Sequence, residues 1–199
     1  MNARSIAVIA TFAAVAIALN TIKIPTFYWP NMDYTICDIP IVVAFLIYGF
    51  KIGLLVEVLH IAGQEIFFPE GLGGTVVYPM GLVANLLMFF GIYLASKFIA
   101  SRAASGGQFG EKKTTVYLTA CAAAFRGGLM PIIDYGVLYH VLLPLVLGIA
   151  IPEAYIVVLV PSFVLYNVTS AFYVVPIAYV IAKRASKYLR MEKHLPVQD

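Results

Sequence analysis

Apolar residues occupy most of this chain in six long blocks, each broken by a short segment rich in polar residues, glycine or proline. Their lengths predict helices at about 5–22, 39–49, 52–68, 76–99, 114–147 and 154–183, followed by a basic tail at 184–199. The second block is shorter than the ~20 residues that span a hydrocarbon layer. Asp38-Ile39-Pro40 reads as a helix start, with Asp38 as N-cap and proline in the first turn. Gly49 and Lys51 mark a tight turn into the third helix. Pro69 to Thr75 and Ser101 to Lys113 read as loops from their glycine, proline and polar content. Pro131 predicts a kink in the fifth helix and Pro144 its end, and Pro161 and Pro176 predict bends in the sixth.

Composition turns this pattern into a fold class. The 199 residues are 62% hydrophobic and 12% charged, more apolar surface than one soluble core of this size can hide. The expectation is an all-α integral membrane protein: a single domain, 1–199, built as a six-transmembrane-helix bundle. The basic residues divide unequally between its two sides. Arg4, Lys51, Lys97, Arg102, Lys112, Lys113, Lys183, Arg184, Lys187, Arg190 and Lys193 fall on the side of the termini, whereas the other side has Lys23 with Asp33, Asp38, Glu70 and Glu153. By the positive-inside rule both termini are expected in the cytoplasm. The first block follows Arg4 and contains AAVAIA at 13–18, so a cleavable signal was weighed; its length and the equally apolar blocks behind it favour a retained helix.

Charge and cysteine usage exclude several roles. The Lys and Arg residues sit in short clusters beside apolar blocks, which is no nucleic-acid footprint. Cys37 and Cys121 stand far apart and read as buried or idle thiols, not as a disulfide or metal pair. Glu57-Val58-Leu59-His60 matches half of a di-iron ExxH site, but no second copy exists. The chain lacks GxxxxGK[ST], GxSxG and HExxH. No catalytic residues, metal or cofactor are therefore expected, and the protein is read as a non-enzyme.

Candidate chemistry lies where hydrocarbon penalises polar groups. A charge at the bilayer centre costs at least about 2.5–3.5 kcal/mol on insertion scales, so it should face the bundle interior or a wet cavity. Arg126 falls about 18 Å into the fifth helix, Asn85 about 13 Å into the fourth and Asn167 about 20 Å into the sixth. Asp134 and Tyr135 lie about two turns beyond Arg126. Glu57, His60 and Gln64 form one stripe on the third helix, with Glu65 beside them. Two uses are open for these groups. Arg126 could pair with Glu57 or Glu65 and the asparagines could join helices; alternatively, together they could line a pocket opening outward. His140 reads as a residue of the outer boundary. The segment PTFYWPNMDY places Phe27, Tyr28, Trp29 and Tyr34 between helices 1 and 2, either as an interfacial aromatic belt or as a lid over a flat ligand. In the first helix Ala10 and Ala14 have small-xxx-small spacing, which suits close approach of another helix.

These residues resemble the substrate-binding S component of energy-coupling-factor (ECF) vitamin importers, most of all the riboflavin type. The resemblance rests on IATFAA at 9–14, CDIPIVVAFLIYGFKIGLLVE at 37–57, GLVANLLMFFGIYL at 81–94, RGGLMPIIDYGVLYHVLLP at 126–144 and VPSFVLYNVTSAF at 160–172. It implies a six-helix bundle in a prokaryotic cell membrane that captures a vitamin, riboflavin, from outside. It also implies a transmembrane coupling subunit, met through Ala10 and Ala14, and two ATP-binding subunits. Tyr28, Trp29, Tyr34, Asn85, Asp134, Tyr135 and Asn167 would then bind substrate, with Arg126 organising the pocket. The sequence departs from that pattern at Asp134, where the family has Asn. It departs again at EVLHIAGQE in the third helix and in lacking a Lys shortly after Asn167. The rival expectation is an ion-coupled secondary transporter of a small heterocyclic metabolite, using Glu57, His60 and Glu65 as its ion path.

Overall fold

A computed structural model describes residues 2–26, 33–105, 107 and 109–189. Its helices are α1 (Ala3–Leu19), α2 (Asp38–Tyr48), α3 (Phe50–Phe67), α4 (Leu72–Ala104), α5 (Glu111–Ile133) and α6 (Glu153–Leu189). Among the described residues three helices are long and apolar enough to cross a membrane: Gly73–Ala104, Glu111–Leu147 and Glu153–Tyr188. The helices α1 and α2 are apolar but shorter, and α3 carries Lys51, Glu57 and Glu65 within its length.

The short second helix organises the bundle. Ile41 through Ile47 are all buried, so α2 presents no polar face and needs protein on every side. It packs against α1, α3 and α6. Gly49, at φ 86°, ends α2 and starts α3 in one residue, a left-handed conformation that glycine adopts without steric cost. The outer surface is the reverse of this core. Phe90, Tyr93, Val116, Ile132, Leu145, Val158 and Phe172 are exposed, the distribution expected when lipid replaces water around the bundle.

Two predicted features take a different form. The connection between α1 and α2 contains an antiparallel hairpin, β1 (Lys23–Pro25) with β2 (Asp33–Thr35), in the register Lys23↔Thr35, Ile24↔Tyr34 and Pro25↔Asp33. The fifth helix continues past Pro131 to Leu147, as its apolar block predicts, but as a wider-wound π-helical segment, Asp134–Leu147, that ends at left-handed Gly148. Proline removes an N–H from the ladder, and an i→i+5 pattern is one way for a helix to continue past such a gap.

The pair α4–α5 is drawn together by Gly91. A Cβ there would lie 2.6 Å from the Cys121 carbonyl oxygen and 2.8 Å from Ala122 Cα. Gly91→Leu is expected to destabilise the folded chain by about 1–3 kcal/mol through overpacking. A thermal midpoint in detergent unchanged from wild type would contradict this close approach.

Candidate substrate-binding site

The site begins with the length of α2. Asp38 stands ten residues from Tyr48, about 15 Å of helical rise, so its carboxylate reaches only half the thickness of a hydrocarbon layer. That is the depth at which Arg126 needs an anion. Arg126 Nη1 donates to Asp38 Oδ2 at 3.0 Å, and both side chains are buried. The expected pairing of Arg126 with Glu57 or Glu65 is therefore corrected: Asp38 is the partner. The expected capping role of Asp38 changes with it. Cys37 occupies the N-cap with no side-chain cap bond, and Asp38 is the first helical residue with its carboxylate turned inward.

The two asparagines complete the arrangement. Asn85 Nδ2 donates to Asp38 Oδ1 at 3.0 Å and to Glu57 Oε1 at 2.9 Å, while Asn85 Oδ1 accepts from Arg126 Nη1 at 3.1 Å. Asn167 Oδ1 accepts from Arg126 Nε at 3.1 Å, and its Nδ2 donates to the Phe163 carbonyl at 2.9 Å. Glu57 Oε2 lies 3.3 Å from His60 Nδ1. One buried network thus ties together α2, α3, α4, α5 and α6. Such a network is stable only when its charges and lone pairs are matched. The amide of Asn85 is what joins the Asp38–Arg126 pair to the Glu57–His60 pair.

Above the network is a cavity of about 450 Å³. Asn85, Arg126, Asp134 and Asn167 line it, as do Glu57, His60 and Gln64 from α3. Tyr139, Phe163 and Tyr166 supply aromatic surface, Lys23 and Asp33 come from the hairpin, and Glu70 comes from the α3–α4 connection. Asp134 is buried among them, 6% exposed.

The hairpin is anchored by its second strand. Tyr34 stacks on Tyr166 with ring centroids 5.2 Å apart and meets Tyr173 edge-on. The Tyr34 hydroxyl also bonds with Thr169. Tyr173 donates to the Thr35 carbonyl at 2.7 Å, and Tyr166 donates to the Asp33 carbonyl at 3.1 Å. Tyr34 therefore backs the cavity-lining Tyr166 and is itself outside the lining. Phe27, Tyr28 and Trp29 lie outside the described residues. Tyr135 is not brought to the cavity. Its hydroxyl bonds with Glu153, and the same carboxylate is 3.0 Å from His140 Nε2, in an exposed outer cluster. Ala10 and Ala14 are exposed on α1, turned away from buried Ile9, Ala13 and Ala16.

Several lining contributions escaped sequence reasoning, Asp38 and Tyr166 among them. Asp38 looked like a cap, yet a buried Arg at mid-depth requires a carboxylate, and a helix too short to span brings one there. Tyr166 is a single aromatic in an aromatic-rich helix, and only the docked hairpin distinguishes it.

The fold is similar to a solved structure described as the S component of a bacterial ECF transporter. The TM-score is 0.63 at 20% identity, covering 94% of this chain and 98% of that chain. No protein-family model and no curated protein matches the sequence. The fold is an all-α membrane bundle, as the sequence pattern predicts, and of the S-component type that the family resemblance implies.

Proposed function

We propose that this chain is the substrate-capture subunit of an ATP-driven importer, taking a small organic ligand from outside the cell. The observation that carries the reading is the buried polar network at the floor of a 450 Å³ cavity, closed on one side by a pinned hairpin, within an S-component fold. That volume lies within the usual range for small-molecule sites. The network supplies fixed donors and acceptors, and Tyr139, Phe163 and Tyr166 supply flat apolar contact in the same lining. The charge asymmetry of the sequence supports cytoplasmic termini.

Riboflavin is the ligand favoured by the sequence resemblance, and aromatic walls suit a planar ring system. A second reading, a basic nitrogen heterocycle, is favoured by the carboxylates of the lining. Purification in detergent followed by mass spectrometry and visible absorption separates the two. A yellow preparation that releases flavin supports riboflavin. A colourless chain that fails to bind added riboflavin after removal of endogenous ligand rules it out.

Energy would come from a coupling subunit and two ATP-binding subunits, since this chain has no phosphate-binding loop. The exposed Ala10/Ala14 face of α1 is the proposed contact. Ala10→Leu/Ala14→Leu is expected to abolish co-purification with co-expressed energising subunits and to leave ligand affinity within twofold of wild type. Uptake by this chain alone, driven by an ion gradient, would instead establish the secondary-transporter reading.

A further inference from the structure

The charges around the cavity do not balance. Asp33, Asp38, Glu57, Glu70 and Asp134 line it, against Lys23 and Arg126. Lys23 lies 3.6 Å from Glu70, and Arg126 is committed to Asp38. Glu57 faces His60, and Asp134 receives no hydrogen bond from any described side chain although it is 6% exposed. A buried carboxylate without a partner is costly, because low-dielectric surroundings cannot replace its hydration. In an open cavity the missing partner can be the ligand.

A second, independent observation agrees. His60 is buried and lines the same cavity, yet its Nε2 has no hydrogen-bond partner among the described residues. Its Nδ1 lies against Glu57 Oε2, and that carboxylate oxygen can only accept, so the Nδ1 proton belongs there. In the neutral ring Nε2 is then a lone-pair acceptor. Asp134 and the neutral His60 ring thus leave two acceptors unfilled beside the cavity, and Gln64, which also lines it, can adapt its amide to either role. Aromatic faces of Tyr139, Phe163 and Tyr166 are compatible with a cation as well as with a flat ring.

We infer that the ligand is a positively charged organic base bearing N–H donors, an amine-, amidine- or aminoheterocycle-type cation, whose charge sits at Asp134 and whose second donor reaches His60 Nε2. This rests on the capture reading above and selects the basic heterocycle over the neutral flavin. It explains why a carboxylate stands at position 134: a ligand hydroxyl could be met by an amide, whereas a cation requires the charge.

The test uses the full-length chain, stripped of endogenous ligand, in lipid nanodiscs. Thermal shift and equilibrium titration are run with thiamine, tryptamine and benzamidine as cationic probes, and with riboflavin and lumichrome as neutral ones. At least one cation is expected to bind and the neutral flavins not to. Asp134→Asn should weaken that cation at least tenfold, and His60→Phe at least fivefold, with the elution profile and helical content of wild type. Tight binding of riboflavin overturns the inference, and so does cation binding that Asp134→Asn leaves unchanged. If no cation binds but the chain still assembles with co-expressed energising subunits, the cation class fails and the capture role survives. If it neither binds nor assembles, both fail.

Discussion

Arg126→Met is expected to lower the stability of the folded chain in detergent by about 3–5 kcal/mol, because it leaves the Asp38 carboxylate buried without its counter-charge. Asp38 keeps the Asn85 amide and a long 3.9 Å contact from the Cys37 thiol in that variant, and neutral donors cannot balance an anion in so dry a place. The same change removes the donors that hold Asn85 and Asn167, so the α4, α5 and α6 contributions to the cavity floor lose their common anchor. Asp38→Leu should cost a similar amount, for the mirror-image reason. The combination Arg126→Met/Asp38→Leu should recover most of the loss, since removing both charges also removes both desolvation penalties. Chemical denaturation or thermal unfolding of the four proteins measures this as a double-mutant cycle. Additive losses in the double variant would mean that the pair is not the unit described here.

The second large effect is expected at Asn85. Asn85→Leu keeps approximate volume but removes two donated bonds, to Asp38 and Glu57, and one accepted from Arg126. Hydrogen bonds to charged partners contribute about 1.5–3 kcal/mol each, and their losses overlap when the partners re-pair, so a net loss of about 2–4 kcal/mol is expected. Ligand affinity should fall more steeply than stability, because Glu57 and His60 would no longer be held in register with Arg126. Asn85→Asp is the sharper control. It can still accept from Arg126 but cannot donate to either carboxylate, and it adds a third anion to the floor. Stability falling for Leu but not for Asp would show that the donated bonds contribute little; equal ligand affinity in both variants and wild type would remove Asn85 from the site.

Much of the site was visible as a set of residues that hydrocarbon rejects. Arg126, Asn85 and Asn167 stood out from depth alone, and all three meet at the cavity floor. Asp134 was visible in the same way and lines the cavity. Tyr135 is singled out by the same depth and by the family resemblance, but a one-residue step on a helix points elsewhere: it ends in an exposed cluster with His140 and Glu153. The α1–α2 connection reads as an aromatic, proline-bearing segment, either an interfacial belt or a lid, and neither reading contains the hairpin. Strands of three residues carry too few alternations for periodicity to register, and this pair is held by tyrosines more than 130 positions away.

By itself the sequence determined the bundle: six apolar blocks, their order and their turns. Those properties are local, set by how many consecutive residues favour lipid or protein interior over water. Tertiary structure alone decided who pairs with whom. Asp38 meets Arg126 because α2 is too short to span, so that its first residue sits at the depth of an arginine 88 positions later. Partner choice in a membrane interior depends on matched depth and facing sides, and these exist only after the helices have packed.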